Sequence, residues 1–207
     1  MGRSAIDAVA IMVDRAHAAI KNRHITGVLL MDIQAAFPSV AKGRLVNLMK
    51  VSQMDGDLIR WMESFLSERM VEMIIEGNAM ERHPVEAGVP QGSPVSLILF
   101  AIYTSGLIKW VEEYVSAEGL SFVEDLSWVA AGRGVNQVIR MLERCAARSI
   151  EWGSRRGQRS VSAKTQEALF TPRRGHKKHL QPKLTGKIEV GNRSILFNKE
   201  VSRWLGV

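Results

Sequence analysis

Gly27-Val28-Leu29-Leu30-Met31-Asp32 is a short apolar run opened by a glycine and closed by a carboxylate, and it reads as a buried strand. Its counterpart lies further along. Leu120–Val123 and Leu126–Ala131 read as the arms of a hairpin with Glu124-Asp125 at its tip. Strands that carry acids into one sheet make a site for hard divalent cations, which take oxygen ligands. Paired cations activate one oxygen and stabilise the leaving one in phosphoryl transfer. A structural role is open to the same residues: Asp32 as an acid leading a helix, Glu124-Asp125 as a polar turn.

Outward from these strands the chain alternates helix and strand. Apolar residues at Ile6, Val9, Ala10, Val13, Ala16 and Ile20 predict a helix over 5–20, with Ser4 as its cap. Helices are expected over 39–50 and 55–67. Met70–Glu76 alternates and turns at Gly77-Asn78 into a second strand. Ser93–Tyr114 is a long apolar helix introduced by Gly92, Ser93 and Pro94. Val135–Trp152 is a further helix, followed by short strands at 168–170, 187–190, 194–197 and 202–207. The pattern is an α+β chain, with strands paired locally and helices packed on one face.

The 207 residues are 46% hydrophobic and 24% charged, which suits one sizeable core or two small lobes and excludes collagen-like or wholly disordered chains. The only cysteine, Cys145, excludes an internal disulfide and a cysteine-built zinc site, and fits a reducing compartment. The N-terminal residues lack the apolar core of a signal peptide. Val95–Ile108, the most apolar window, is shorter than the roughly 20 residues a bilayer needs. The expectation is a soluble intracellular protein, with nucleus or cytoplasm left open.

The net charge of +7 is unevenly spread: residues 140–207 hold 16 Lys+Arg against 5 Asp+Glu, and residues 1–139 hold 12 against 16. A basic third bearing Arg155, Arg156, Arg159, Arg173, Arg174, Lys177 and Lys178 suits a polyanion, although a solvated basic loop has the same composition. His176 and His179 have no cysteine or acid beside them and read as loop.

Gly88-Val89-Pro90-Gln91-Gly92-Ser93-Pro94-Val95-Ser96 is the most distinctive segment. It offers a rigid small-residue surface, a bidentate amide in Gln91 and backbone N–H groups at the mouth of a helix.

Together these blocks resemble reverse transcriptases, especially those of non-LTR (LINE-like) retrotransposons. Gly2-Arg3-Ser4-Ala5-Ile6-Asp7-Ala8 is similar to the segment that precedes the palm. Asp32-Ile33-Gln34-Ala35-Ala36-Phe37 resembles the D-x-x-x-A-F block, and Gly88–Ser96 the G-x-P-Q-G-S-P-x-S block. Phe122-Val123-Glu124-Asp125 resembles F-x-D-D. Lys164-Thr165 with Ala168-Leu169-Phe170 resembles K-T-E-x-x-x-F, and Trp204-Leu205-Gly206-Val207 the Y-L-G block. An intron maturase, built on the same palm, is less similar at the opening and at the Lys164 block.

The resemblance implies a polymerase palm, a small antiparallel sheet backed by helices, with incomplete fingers and no thumb. It divides the chain into 1–26 as the end of the fingers, 27–171 as palm, and 172–207 as a basic loop with primer-grip-like strands. It implies RNA-directed DNA polymerisation with two Mg²⁺ (or Mn²⁺), an RNA template, a DNA primer and dNTP, and no membrane partner. Asp32, Glu124, Asp125 and the Ile33 carbonyl are the implied metal ligands. Phe37 is implied to exclude a 2′-OH, and Gln91 and Gly92 to face the templating pair. Lys164 is implied as general acid near the pyrophosphate, and Trp204, Leu205 and Gly206 as primer grip. Arg155, Arg156, Arg173, Arg174, Lys177 and Lys178 are the basic residues for the nucleic-acid backbone.

The chain departs from the family pattern at Glu124, where aspartate is usual. The extra methylene displaces the carboxylate by about 1.5 Å, and a misplacement of about 1 Å in a catalytic array costs ~10²-fold in rate. Leu97 replaces a usual proline, Gln166 a usual glutamate, and Gln158 and Ser160 usual apolar residues. The expectation is a weakened or lost polymerase, with an inert, basic, nucleic-acid-binding remnant of a retroelement as the alternative.

Overall fold

The computed structural model describes residues 5–156, 159–170, 187–190 and 193–196; among these, side chains are described at 6–33, 35–156 and 170. The Gly2-Arg3-Ser4 opening, Gln158, the basic loop with Arg173, Arg174, Lys177 and Lys178, the expected strand at 202–207, and Trp204-Leu205-Gly206 lie outside the described residues. In chain order the elements are α1 (Ala5–Lys21), β1 (Ile25–Gln34), α2 (Lys42–Val51), α3 (Gly56–Phe65), β2 (Met70–Val71), β3 (Ile74–Ile75), β4 (Asn78–Ala79) and β5 (His83–Pro84). There follow α4 (Pro94–Glu112), β6 (Glu118–Phe122), β7 (Asp125–Gly132), α5 (Val135–Ser154), β8 (Arg159–Phe170), β9 (Lys187–Val190) and β10 (Arg193–Leu196). They form two compact units. One takes the chain to Gln34, Gly106–Arg155 and the chain from Arg159; the other takes Ala35–Ser105 and Arg156–Gln158.

The first unit is built on a four-stranded antiparallel sheet of order β6-β7-β1-β8. Because side chains alternate across a strand, β1 and β7 each present two sets. Leu29 and Met31 of β1 join Leu126, Trp128 and Ala130 of β7 on one face. They pack there against Val138, Leu142, Cys145, Ala146 and Trp152 of α5, and against Leu107 and Val111 from the end of α4. Trp128 is fully buried, and its indole N–H donates to Ser149 Oγ at 3.0 Å, which in turn donates to the Cys145 carbonyl at 2.7 Å. The ring is accommodated by Gly119, its cross-strand partner: a Cβ there would lie 2.5 Å from Trp128 Cζ3. Burial pushes the Cys145 thiol up to about 12, so it fills space and is no nucleophile at neutral pH.

The other face carries Thr26, Val28, Leu30 and Asp32 with Asp125, Ser127 and Val129. Helix α1 packs against β1, β6 and β7. It is tied to this face by Arg15, which grips Glu118, the partner of Val129, at 2.6 Å and 3.2 Å. The same contact raises the Arg15 pKa.

The second unit holds α2, α3, two short ribbons (β2 with β5, β3 with β4) and the first part of α4. Asp55 caps α3 by accepting from the Asp57 and Leu58 N–H groups. The β3–β4 turn is Glu76-Gly77, both left-handed at φ 51° and 82°, one residue before the turn the sequence predicts. The expected helix at 39–50 begins at Lys42 instead, because Ala35–Ser39 makes tight turns in which Ser39 N–H reaches the Ala35 carbonyl. Helix α4 reaches 19 residues, longer than its most apolar window. By length and composition alone it could cross a membrane, but Leu99, Phe100, Tyr103, Leu107 and Val111 are buried within the protein.

Candidate functional site

Asp32 lies inside β1, two residues before its end rather than at its close. In the β1–β7 register it stands directly opposite Asp125. Directly opposed residues of an antiparallel pair have Cβ atoms about 4.5–5.5 Å apart. The two carboxylates thus share one face at one rung. Both residues are half-buried.

Asp125 opens β7 because the turn before it has only two residues. Phe122 pairs with Asp125, leaving Val123-Glu124 as the loop. Thus Glu124 belongs to the turn, while Asp125 is already in the ladder. Val123 has φ 54°, a left-handed conformation that costs a β-branched residue on the order of 1–3 kcal/mol. The turn is fastened to the neighbouring strand by the Ile33 N–H, which donates to the Glu124 carbonyl at 3.1 Å. The tether and the strand ladder hold the turn against this strain, and so fix which acid meets Asp32.

The backbone of Lys164 lies at an irregularity of the same sheet. Leu30 pairs with Gln166 and Asp32 with Val161, so residues 162–165 form a bulge beside the rung of Asp32. Bulges recur next to active sites, where they re-aim a side chain.

Divalent cations of the hard class fit the donors Asp32 and Asp125, which are all oxygen. Mg²⁺ is commonly held by one or two carboxylates with substrate phosphates completing its shell. Among the described residues no three His, Cys, Asp or Glu side chains group closely enough to hold an ion. The Glu124 carboxylate is thus not gathered with the pair.

Phe37, Gln91 and Gly92 belong to the second unit. The Gly88–Ser96 segment is pinned to Phe37–Val40: Gly88 N–H donates to the Val40 carbonyl at 2.8 Å and Val89 N–H to the Phe37 carbonyl at 2.9 Å. Gly88 sits at φ 79°, and a Cβ there would lie 2.8 Å from Pro38 Cα. Arg69 holds the segment from the other side, donating to the Ala87 and Gly88 carbonyls at 2.8 Å and 2.6 Å. Nothing in the sequence singled out Arg69. The Phe37 ring packs 5.4 Å from that of Phe100, while Gln91 and Gly92 are exposed. Pro94 opens α4, as expected for a first-turn proline. Arg155 pairs with Glu151 at 2.6 Å, and the Arg156 carbonyl accepts from Tyr103 at 3.1 Å.

The family model described as reverse transcriptase (RNA-dependent DNA polymerase) matches residues 1–207. No curated protein sequence matches the chain. Among solved structures, the chain is similar to apo telomerase from Candida tropicalis truncated from its C-terminal domain. That match has a TM-score of 0.63 and 13% identity, over 94% of this chain and 39% of the other. It is also similar to Candida albicans telomerase in complex with a TWJ fragment of telomeric RNA, at TM-score 0.62 and 11% identity, over 94% of this chain and 33% of the other. The chain thus spans less than half the length of these structures. At such identities the likeness establishes the fold, helices with small antiparallel sheets.

Proposed function

The chain belongs to the reverse transcriptase (RNA-dependent DNA polymerase) family, and on that premise we propose that Asp32 and Asp125 form the nucleotidyl-transfer centre of an RNA-directed DNA polymerase palm. The observation that carries this reading is the placing of two carboxylates directly opposite each other on one rung of the sheet, an all-oxygen donor pair for a hard cation.

Mg²⁺ or Mn²⁺ bound by these carboxylates would supply Lewis acidity for in-line displacement at phosphorus. The proton of a primer 3′-hydroxyl passes to solvent as its oxygen bonds to the α-phosphorus of a dNTP, the bond to the bridging oxygen breaks, and pyrophosphate leaves. Asp32 and Asp125, with the Ile33 carbonyl as a further ligand, would hold the cation that supplies this Lewis acidity. Lys164, beside the rung of Asp32, gives the proton to the pyrophosphate. Phe37 rejects a 2′-OH, Gln91 and Gly92 face the templating pair, and Trp204-Leu205-Gly206 grip the primer. Arg155, Arg156 and the basic loop hold the backbone of an RNA template through salt-sensitive phosphate contacts. On this reading 27–171 is the palm, 1–26 the end of the fingers, and 172–207 the basic loop and primer grip. The Gly2-Arg3-Ser4 opening and the Lys164-Thr165 block favour an element of the non-LTR type.

Glu124 makes the centre a weakened one. It stands in the turn where the family has aspartate, and its carboxylate is not grouped with Asp32 and Asp125. Primer extension on poly-rA/oligo-dT with Mg²⁺ and with Mn²⁺ tests the proposal, using the natural chain, Glu124→Asp and Asp32→Ala. Extension that rises about 10²-fold in Glu124→Asp and vanishes in Asp32→Ala supports it. Full extension in Asp32→Ala would refute the assignment of the site. Silence in all three would favour the inert nucleic-acid-binding reading.

A further inference from the structure

The outer flank of α5 carries Arg140, Arg144 and Arg148, whose spacings of four residues align them along the helix. The buried row of the same helix faces the sheet on the side of Leu29 and Trp128, so this stripe lies away from the face that bears Asp32 and Asp125. Opposite it stand Trp110, near the end of α4, and Tyr114. The Arg148 guanidinium carbon lies 3.8 Å from the Tyr114 ring centroid and 4.6 Å from that of Trp110. A recess of about 300 Å³ opens beside it, lined by Tyr114, Val115, Arg144, Ala147 and Arg148. No acid lines the recess.

Two details mark this recess as incomplete in itself. Arg148 Nε, in its wall, is buried without a hydrogen-bond partner, and an unmet buried donor is costly. A guanidinium held by two rings is also pre-organised, so little entropy is lost when its planar fork meets a phosphate or carboxylate. Tyr114 remains 57% exposed, leaving ring surface beside the arginines. An anion-matching fork next to a free aromatic surface suits a nucleotide unit, phosphate on one and base on the other.

We propose that this recess binds single-stranded nucleic acid, its phosphodiester held by Arg144 and Arg148 and a base stacked on Tyr114. The site stands apart from the Asp32–Asp125 centre and does not depend on polymerase activity.

The test is fluorescence anisotropy of a fluorescein-labelled oligouridylate of about 12 nucleotides with the full chain, between about 50 and 200 mM KCl. Arg144→Gln with Arg148→Lys, and Tyr114→Ala alone, are compared with wild type, folding being checked by thermal melts. The arginine pair should raise Kd about tenfold and lower the salt slope by about 1, since the lysine keeps its charge but not the fork. Tyr114→Ala should raise Kd by about tenfold with the slope unchanged. A 4-thiouridine oligomer should crosslink to Tyr114 or Trp110. Wild-type Kd and slope in folded Arg144→Gln/Arg148→Lys and Tyr114→Ala proteins would overturn the proposal. So would displacement of the RNA by polyglutamate at equal charge, which would make the recess a docking point for acidic peptide.

Discussion

Replacing Gly88 by alanine places a Cβ where three backbone atoms already stand: Pro38 Cα at 2.8 Å, the Phe37 oxygen at 2.9 Å and the Pro38 oxygen at 3.0 Å. None is the end of a flexible side chain, so relief must come from moving the 37–40 turn, which the Gly88–Val40 and Val89–Phe37 hydrogen bonds hold. Overpacking of this kind costs about 1–3 kcal/mol, and a left-handed φ adds about 1–2 kcal/mol for a residue with a Cβ. Alanine returns about 0.4–1 kcal/mol by restricting the unfolded chain. The net loss for Gly88→Ala is therefore about 1–5 kcal/mol, centred on about 3. Gly92 supplies the comparison. Its φ is 92°, but a Cβ there meets nothing within 4 Å, so Gly92→Ala should cost only about 0–1 kcal/mol. Urea unfolding followed by circular dichroism reads both. Equal losses at the two positions would refute the claim that Gly88 is fixed by close backbone approach and not by backbone conformation alone.

Two further outcomes follow from groups described above. Val123→Gly should stabilise the protein by about 0.5–1 kcal/mol in urea unfolding, as relief of the left-handed strain exceeds the added freedom of the unfolded chain; a destabilised variant would show that the turn is not strained. The Cys145 thiol is raised to about 12 by burial, so above its ordinary range the unfolded chain releases a proton that the folded chain keeps. Its stabilising contribution is full below pH ~8.5 and falls by about 1.4 kcal/mol per pH unit between there and about 12. The difference in unfolding free energy between wild type and Cys145→Ala should shrink along that slope, and a constant difference would refute it.

Much of this arrangement was legible in the residues, because it is written locally. The apolar period of α1 and α5, Pro94 at the head of α4, and the apolar run of β1 each signal their element within a few turns of chain. What escaped depends on distance or on count. In the order β6-β7-β1-β8, β1 joins β7 and β8 from far along the sequence, and no local pattern encodes that. The tip of the acid-bearing hairpin is Val123-Glu124 and not Glu124-Asp125, since a valine in left-handed conformation runs against its propensity and only the tertiary ladder imposes it. Asp32 was expected to end its strand, yet β8 pairs on past it through the bulge at 162–165. Arg69 gave no signal at all: its role exists only once the 87–88 carbonyls are brought to it. The residues at the Asp32–Asp125 rung were identified from the sequence, but which acid faces which is a property of the register.

That register has a consequence for the kinds of genetic change this hairpin can survive. Opposite faces alternate with every residue, so gain or loss of a single codon between Phe122 and Leu126 would shift the pairing by one and carry one aspartate to the Trp128 side of the sheet. A substitution at Val123 or Glu124 changes one side chain, whereas a one-residue insertion there reverses a whole strand. Length, more than identity, is what this turn demands, and an intact four-residue Phe122–Asp125 count is what keeps the two acids on one face.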